Sequence, residues 1–283
     1  MTQTVGIDAA GSVASAARDI LDNGYAVVKL DDVHEYAVHH AIKTANQFFE
    51  RPLEDKNAHG STDHNYGYRP YGVEYSISPD RPDMNEVFTL WASRLDLIPN
   101  AADIPELTDA FLNWRDSIAP LVKAILDEVA ADFGVDAAPA FEKASYLQIN
   151  SYLETPDDRD LLQDKHEDGH MVTVLHATAP GLEIYADGEA GEASAFLPDH
   201  DEIVIMPGSV LTALSGGTIQ PLFHQVRNHG LDDRQSIMYF VNPVVDEPLY
   251  AWTAADGTGE REDLREHVQN APKMFGLPPV EAL

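Results

Sequence analysis

The spacing of hydrophobic residues changes near residue 145. Before this point, apolar side chains recur every three to four residues, as on one face of an amphipathic helix, over residues 10–22, 31–49 and 104–134. After it, apolar residues fall into short segments rich in β-branched and aromatic residues, at 145–153, 171–177, 182–186, 202–207, 209–214, 223–228 and 235–243. Short strands at this spacing predict an antiparallel sandwich or barrel.

Four further segments complete the predicted elements. Residues 25–30 and 85–91 have the composition of strands, and residues 259–270 have a helical pattern. Residues 57–85 are rich in Gly, Pro, Asp, Ser and Tyr and show no sustained period. They predict a long loop, and long ordered loops in compact domains are often functional.

The pattern predicts a mainly β fold with flanking helices. Its core is a jelly roll (double-stranded β-helix) at residues 141–250. Residues 1–140 form an α-rich region packed on that core, and residues 251–283 form a C-terminal helical segment. We expect the three parts to make one integrated catalytic domain.

Acidic residues dominate the charge of the chain. There are 48 Asp and Glu against 18 Lys and Arg, which gives a formal net charge of −30. Such a field repels nucleic acid and anionic membrane surfaces, so we expect neither as a partner. A high-salt habitat and simple solubility both explain the acidity. An anionic small molecule needs local positive charge against this background, which makes individual arginines informative.

The absence of cysteine narrows the chemistry. It excludes disulfides, iron–sulfur clusters, thiolate zinc sites and cysteine nucleophiles, so any metal must be held by His, Asp or Glu. No apolar run approaches the roughly 20 residues that span a bilayer. The first residues, MTQTVGIDAAGS, lack the basic and apolar regions of a signal peptide. We therefore expect a cytoplasmic protein.

Two histidines and one carboxylate form the first candidate site. His166 and Asp168 are two residues apart, so on a strand they point to the same face, and His224 lies in another predicted strand. This ligand set leaves open positions on Fe(II) for dioxygen and a cosubstrate. The same ligands can hold zinc, and a His-x-Asp pair can arise by chance in an acidic chain with 12 histidines.

Arg234 and Ser236 form the second candidate site, on one face of a predicted strand. A guanidinium binds a carboxylate through two parallel hydrogen bonds, and the hydroxyl adds a further donor. This pair therefore predicts an oxoacid pocket beside the metal. The alternative is a surface arginine paired with Asp232 or Asp233.

Three C-terminal segments resemble a known family in order and at fitting distances. They read HEDGHMVTVLHATAPGLEIY (166–185), PGSVLTALSGGTIQPLFHQVRN (207–228) and DDRQSIMYFVNP (232–243). The family is the isopenicillin N synthase-like group of non-haem iron oxygenases, most of which depend on 2-oxoglutarate. The resemblance extends more loosely to Gly24-Tyr25, Phe48-Phe49, Glu54-Asp55-Lys56 and Gly67-Tyr68.

The resemblance implies roles for both candidate sites. His166, Asp168 and His224 become the ligands of Fe(II), which makes them the catalytic centre. Arg234 and Ser236 become the binding site for the distal carboxylate of 2-oxoglutarate. Dioxygen is the third participant.

Residues 150–152, Asn-Ser-Tyr, resemble the family's NxY motif. The resemblance implies that Tyr152 joins the carboxylate site and that Asn150 lies near the cosubstrate. Two segments depart from the family, because residues 153–156 (LETP) replace a Cys-Pro region and residues 215–217 (SGG) replace an asparagine–glycine. These departures leave the subfamily and substrate open. The intact Asp168 argues against a halogenase whose metal site lacks this carboxylate.

The implied function is an Fe(II)- and 2-oxoglutarate-dependent dioxygenase, an oxidoreductase that releases succinate and CO₂. It oxidises an unactivated C–H bond of a small molecule by hydroxylation, desaturation or cyclisation. An amino-acid-like compound or an intermediate of secondary metabolism is the expected substrate. Two alternatives stay open: an iron-dependent oxidase of this fold that does not use 2-oxoglutarate, and a non-catalytic jelly-roll binding protein. The sequence does not give the oligomeric state.

Substrate choice is expected to depend on the 57–85 loop, which can close over a small molecule carrying a carboxylate. The candidate contacts are Tyr66, Tyr68, Arg69, Tyr71 and Tyr75 in the loop, with Glu86, Phe240 and Asn242 outside it. The alternative is a structural loop packed by its tyrosines. Candidates for residues surrounding the metal ligands are His170, His176 and His229.

Overall fold

The computed structural model describes residues 9–152, 159–231, 233–253, 263–271 and 277–278. Within these ranges the α-helices are α1 (Ala9–Asn23), α2 (Asp32–Phe49), α3 (Leu53–Asn57), α4 (Pro105–Asp132), α5 (Ser209–Leu214) and α6 (Arg265–Asn270). Single 3₁₀ turns lie at Leu95–Leu97 and Ala101–Asp103. Over the described ranges, no helix combines the length and apolar character that a membrane span requires.

The described strands form two antiparallel sheets. They are β1 (Ala26–Lys29), β2 (Gly67–Arg69), β3 (Asn85–Trp91), β4 (Tyr146–Tyr152), β5 (Leu161–His166), β6 (Val172–Ala177), β7 (Leu182–Tyr185), β8 (Ser194–Ala195), β9 (Glu202–Pro207), β10 (Phe223–Arg227) and β11 (Gln235–Val241). The major sheet has the order β1-β9-β6-β11-β4-β3-β2, and the minor sheet has the order β5-β10-β7-β8. The predicted mainly β jelly roll with flanking helices is confirmed.

The two faces of the major sheet are covered by different partners. On one face, Leu147 of β4 packs in the main apolar cluster with Phe111 and Trp114 of α4. On the other face, Met238 of β11 packs with Leu182 of the minor sheet. Successive residues of a strand point to opposite faces, so helices cover one face and the minor sheet covers the other.

Helix α2 shows how the predicted helices form. The carboxylate of Asp31 accepts hydrogen bonds from the backbone N–H groups of Val33 and His34, which satisfies two donors of the first turn. Farther along, Ala41 and Phe48 are buried against the sheet side of the helix. The cap and the apolar stripe agree, and the predicted helix is confirmed.

Two sequence predictions are corrected. The N-terminal region also supplies strands to the major sheet, because β1 pairs with β9 and β3 pairs with β4, so residues 141–250 do not form the core alone. Residues 209–214 form helix α5, since Val210, Leu211 and Leu214 share a buried helical face. Strand β5 was not predicted. Of the C-terminal helix predicted at 259–270, residues 265–270 are helical and residues 259–262 lie outside the described ranges.

Candidate active site

Alternate residues of β4 line one side of a cavity between the two sheets. The cavity-facing residues are Tyr146, Gln148, Asn150 and Tyr152, each two positions from the next. They form transverse rows with β11, in which Asn150 lies opposite Ser236 and Tyr146 lies opposite Phe240. Four residues in this spacing extend over roughly 20 Å, at about 3.3 Å per residue. The strand therefore connects two ends of the cavity.

The two histidines and the carboxylate predicted from the sequence meet at this cavity. One nitrogen or oxygen from each of His166, Asp168 and His224 lies within 4.8 Å of the others. Nε2 of His166 is 3.8 Å from Oδ1 of Asp168, and Nε2 of His224 is 3.9 Å from Oδ2. All three side chains are buried. The fold thus brings together two histidines that are 58 positions apart in the sequence.

Each histidine is oriented by a backbone carbonyl. His166 and His224 lie directly opposite each other on β5 and β10. Nδ1 of His166 donates to the carbonyl of Asp164 at 2.7 Å, and Nδ1 of His224 donates to the carbonyl of Leu222 at 3.1 Å. A carbonyl can only accept, so both rings carry their proton on Nδ1 and present Nε2 as the lone-pair nitrogen.

Asp168 is held by a turn and not by a strand. His166 is the last residue of β5, which corrects the expectation that both residues share one strand face. The turn is anchored by α5, because the backbone N–H of Ser209 donates to the Asp168 carbonyl at 2.8 Å. A Cβ at Gly208 would lie 2.5 Å from that carbonyl oxygen. Thr173 Oγ1 donates to Oδ2 of Asp168 at 2.5 Å.

Burial sets the protonation of this cluster. It lowers the pKa of His166, helped by the neighbouring His224, so His166 is neutral at neutral pH. Burial opposes ionisation of Asp168, but His224 and His166 together hold the pKa of this carboxyl below its usual value. A neutral imidazole and an ionised carboxylate are the forms in which such groups bind a divalent cation.

Arg234 occupies one end of the cavity and has no counterion among the described residues. It is only 1% exposed, and its Nε donates to the carbonyl of Pro180 at 3.1 Å. Both terminal nitrogens are buried and have no hydrogen-bond partner among the described residues. The predicted alternative of a surface pair is wrong for Asp233, since the guanidinium is buried and the two do not pair; Asp232 lies outside the described ranges.

Two neighbours fix the position of this guanidinium. Its central carbon lies 4.4 Å from the ring centroid of Tyr152. Gly181 has a φ of +139°, and a Cβ there would lie 2.8 Å from Nε of Arg234. The hydroxyl of Ser236 donates to that of Tyr152 at 3.4 Å, and Tyr152 donates to Gln163 at 3.2 Å. This end is a cationic, hydrogen-bonding pocket.

Arg69, from strand β2, lines the same cavity beside Gln148 and has a counterion. Its Nη2 donates to Oε2 of Glu74 at 2.8 Å and to Oε1 of Gln148 at 3.1 Å. Gln148 in turn donates to Asn150 at 2.9 Å. Arg69 is 1% exposed. A continuous chain of hydrogen bonds therefore runs along β4 from this ion pair towards the Arg234 end.

The predicted substrate contacts fall on both faces of their strands. Arg69 and Phe240 line the cavity. Tyr68 and Glu86 do not, because they point to the helical side, where Lys56 donates to Glu86 at 2.5 Å and Tyr68 donates to it at 2.6 Å. This position corrects their expected role in substrate binding.

The other predicted contacts also lie outside the cavity wall. Tyr71 is largely exposed, and Tyr66 packs on Trp91 with ring centroids 6.1 Å apart. The backbone N–H of Asn242 is held by Ser145 at the end of β11. Tyr75 is likewise not among the residues that line the cavity.

Of the three additional histidines, His170 alone reaches the cavity among the residues described. His176 donates from Nδ1 to the carbonyl of Glu202, and His229 is exposed. Nε2 of His170 lies 2.9 Å from the hydroxyl of Tyr146. Burial lowers the pKa of His170 to about 4, which keeps its ring neutral.

Trp91, Tyr146 and Gln148 are cavity residues that were not predicted from the sequence. The available signal was the period of two in β4, because Asn150 and Tyr152 had already been assigned to the cavity side. Extending that period back by two and four residues identifies Gln148 and Tyr146. Predicting Trp91 also requires the register of β3 on β4, since Trp91 lies opposite Tyr146.

Comparison with known proteins matches both halves of the chain. A model of the 2OG-Fe(II) oxygenase superfamily matches residues 144–243, and the N-terminal model of non-haem dioxygenases in morphine synthesis matches residues 8–102. A UPF0676 protein of Schizosaccharomyces pombe is 25% identical over 80% of this chain and 76% of its own length. Gibberellin 2-beta-dioxygenase 1 of Pisum sativum is 22% identical over 72% of this chain, and the match spans 65% of the pea protein.

The fold has solved counterparts. A full-length Neurospora crassa protein, crystallised in complex with alpha-KG, superposes with a TM-score of 0.75, at 20% identity, over 93% of this chain and 90% of that protein. The predicted family is confirmed, and the two matched models together cover more than half of the sequence. The chain belongs to the 2OG-Fe(II) oxygenase superfamily, whose dioxygenases use Fe(II), 2-oxoglutarate and dioxygen.

Proposed function

We propose that this dioxygenase oxidises a C–H bond of a small organic molecule in the cavity between the two sheets, by hydroxylation, desaturation or cyclisation. In this proposal His166, Asp168 and His224 hold Fe(II), and Arg234 with Ser236 binds the distal carboxylate of 2-oxoglutarate. The observation that carries the proposal is the unpaired Arg234 guanidinium in the same cavity as the His-Asp-His cluster.

The metal cluster fits Fe(II). Two imidazole nitrogens and one carboxylate occupy three positions and leave others for small ligands. Carbonyl partners at Nδ1 of both histidines and the Thr173 hydroxyl at Asp168 orient the three ligands from outside. Zinc accepts the same ligands, but family membership favours iron.

The Arg234 pocket fits a dicarboxylate. Two buried N–H-bearing nitrogens without partners cost the empty protein desolvation energy, which a bound carboxylate recovers through two parallel charge-assisted hydrogen bonds. Ser236 and Tyr152 place further hydroxyls at the same end. In a chain of net charge −30, a buried guanidinium without a counterion is a specific attractor for such an anion.

When bound, Fe(II) and 2-oxoglutarate supply the oxidising power, with succinate and CO₂ as coproducts. The residues of this chain position the metal, the oxoacid and the substrate, and they exclude water. Arg234 fixes the oxoacid by its far carboxylate, the histidines and Asp168 fix the metal, and the chamber at the Tyr146 end holds the substrate. Apolar residues such as Leu175 and Met238 line the space between and exclude water.

A small-molecule substrate is supported by the structural neighbours. Solved complexes of the Neurospora crassa protein contain thymine or 5-formyluracil together with alpha-KG. The cavity of this chain is enclosed by both sheets, and its wall includes Ala271 and Leu277 from the C-terminal segment. An enclosed wall of this kind suits a small molecule better than a polymer.

The proposal is tested by titrating 2-oxoglutarate into the anaerobic Fe(II)-loaded protein. We expect a visible metal-to-ligand charge-transfer band, oxygen-dependent succinate formation, and loss of both in His224→Ala. Arg234→Met should raise the 2-oxoglutarate concentration needed for the band by about a hundredfold, because two charge-assisted hydrogen bonds are lost. Arg94→Met is the matched control, since Arg94 is an exposed arginine paired with Asp96.

Normal 2-oxoglutarate dependence in Arg234→Met would overturn the assigned pocket. Oxygen consumption that ignores 2-oxoglutarate would instead identify an oxidase of the same fold. Binding of Fe(II) with no charge-transfer band and no turnover would identify a non-catalytic metal protein.

A further inference from the structure

An aromatic wall forms the end of the cavity opposite Arg234. The rings of Trp91 and Tyr146 stack with centroids 4.4 Å apart, and those of His170 and Phe240 stack at the same distance. Tyr146 and Phe240 join the two stacks at 4.9 Å. Four flat side chains that line one chamber favour a flat, polarisable ligand over a branched aliphatic one.

Arg69 and Glu74 on the adjoining wall offer a hydrogen-bond donor and a hydrogen-bond acceptor, and their charges cancel. Arg69 and Glu74 form an ion pair, and Nε of Arg69 is buried without a partner among the described residues. Gln148 is occupied by Arg69, Thr89 and Asn150. A guanidinium N–H beside a carboxylate complements a ligand that carries an acceptor and a donor side by side.

The field at this end also disfavours a second anion. Glu74 and Asp83 are both buried, and burial together with the charge of Glu74 raises the pKa of Asp83. A carboxylate ligand placed at Arg69 would stand next to Glu74 in a low-dielectric chamber, where like charges repel strongly. The sequence-based expectation of a substrate carboxylate at Arg69 therefore conflicts with the structure.

We infer that the substrate, under the function proposed above, carries an uncharged planar ring with a cyclic amide edge, bound against the aromatic wall. The C=O of such an edge accepts from Arg69 and the adjacent N–H donates to Glu74. A free carboxylic acid is excluded from this end, while the single carboxylate pocket of the cavity, at Arg234, serves the oxoacid.

Three matched probes test this inference on the anaerobic protein loaded with Fe(II) and 2-oxoglutarate. Uracil is the neutral cyclic amide, orotate is the same ring with a carboxylate, and benzylammonium is a flat cation. We expect calorimetry to show uracil binding at least about tenfold more tightly than either charged probe, as one like-charge contact in a buried site is worth at least that factor.

The outcomes separate this inference from the proposed function. If the charge-transfer band forms but orotate or benzylammonium binds as well as uracil, or none of the three binds, the inference fails and the proposed function stands. If the band does not form, the proposed function fails and takes the inference with it.

A charge-neutralising variant adds an independent test. Glu74→Gln keeps the side-chain shape but leaves Arg69 without its counterion, so orotate should gain at least about tenfold in affinity while uracil does not gain. Asp80→Asn is the matched control, because Asp80 is an exposed acid of the same loop with no contact to Arg69. Retention of the band and of a cooperative thermal transition shows that the variant is folded, although loss of one partner of a buried ion pair should lower the thermal midpoint. An unchanged uracil-to-orotate ratio in Glu74→Gln would overturn the role of the ion pair.

Discussion

Two fully buried arginines line one cavity and differ in their partners. Arg234 has two terminal nitrogens without any hydrogen bond among the described residues, whereas Arg69 is paired with Glu74 and bonded to Gln148. Each is 1% exposed, so burial does not distinguish them. The difference lies in the counterion. The protein supplies the counterion of Arg69. For Arg234, in the proposed function, a bound ligand supplies it.

Under the proposed function, this contrast would let an acidic protein bind a dianion at Arg234 and a neutral molecule beside Arg69. A buried charge without a partner costs stability, and a fold retains it where a bound ligand offsets that cost. In a buried ion pair the two charges already neutralise each other. Such a pair therefore offers a ligand hydrogen-bond donors and acceptors but no net charge. Charge alone, read from the sequence, does not separate the two cases.

The largest expected effect is a difference in stability between two matched substitutions in the metal-free protein. Arg69→Met leaves Glu74 buried and unpaired, so the free energy of unfolding should fall by about 3–5 kcal/mol. Arg234→Met removes an unpaired charge, so the same quantity should be unchanged or higher. Urea unfolding measures both.

Arg94→Met is the control for this pair, because its exposed ion pair with Asp96 should be worth at most about 1 kcal/mol. A loss of more than about 2 kcal/mol in Arg234→Met would show that Arg234 has a structural partner, and the comparison between the two arginines would fail.

Ligand stabilisation gives the next largest effect. With Mn(II) as an inert metal and 2-oxoglutarate at a hundred times its dissociation constant, the wild-type protein should gain about 2.7 kcal/mol of stability. Arg234→Met should gain almost none at the same concentration, while Arg94→Met gains as much as wild type. Equal stabilisation of Arg234→Met would move the oxoacid site elsewhere.

The last prediction concerns the pH dependence of stability at Asp83, which is close enough to Glu74 to feel its charge. Burial, with the charge of Glu74 second, raises the pKa of Asp83 to about 7, whereas an unfolded Asp titrates near 4. The folded protein therefore keeps a proton that the unfolded chain has lost. The stability that this proton contributes is complete below about pH 4 and is lost as the pH rises to about 7.

Asp83→Asn should remove this dependence. Between pH 4 and 7, the free energy of unfolding should fall less steeply than in wild type, by at most about 1.4 kcal/mol per pH unit. Asp80→Asn, an exposed acid in the same loop, should keep the wild-type slope. If Asp83→Asn also keeps it, the Arg69 end holds less negative charge than we describe.

The sequence predicts the strands and the site residues well where one local pattern determines them. Short segments rich in β-branched and aromatic residues predicted most strands after residue 145, and the spacing of His166, Asp168 and His224 predicted the cluster that the structure forms. The prediction failed at residues 209–214, where β-branched composition favoured a strand but the spacing of Val210, Leu211 and Leu214 placed them on one helical face. Local composition favoured a strand in this segment, whereas the spacing of its buried residues favoured a helix, and the segment is helical.

The far end of the cavity was harder to predict because it depends on pairing between distant strands. Tyr68 and Arg69 are neighbours in sequence, yet one points to the helices and the other to the cavity. Which of them faces inward follows from the register of β2 on β3, where Tyr68 lies opposite Phe88. No short-range pattern contains that register. The partner of Arg69, Glu74, follows only from the folded loop.

Strand β4 contributes residues to both ends of the cavity, so changes in this strand can affect both. All four of its cavity-facing residues line one wall, and in the proposed function Tyr146 and Gln148 contact the substrate while Asn150 and Tyr152 lie at the oxoacid pocket. Point substitutions at the first two positions can diversify the molecules accepted without disturbing cosubstrate use. A single-residue insertion or deletion between Gln148 and Tyr152 would turn the side chains on one side of the change to the opposite face of the sheet. New activities should therefore arise in this lineage by exchange of side chains on β4, while its length stays constant.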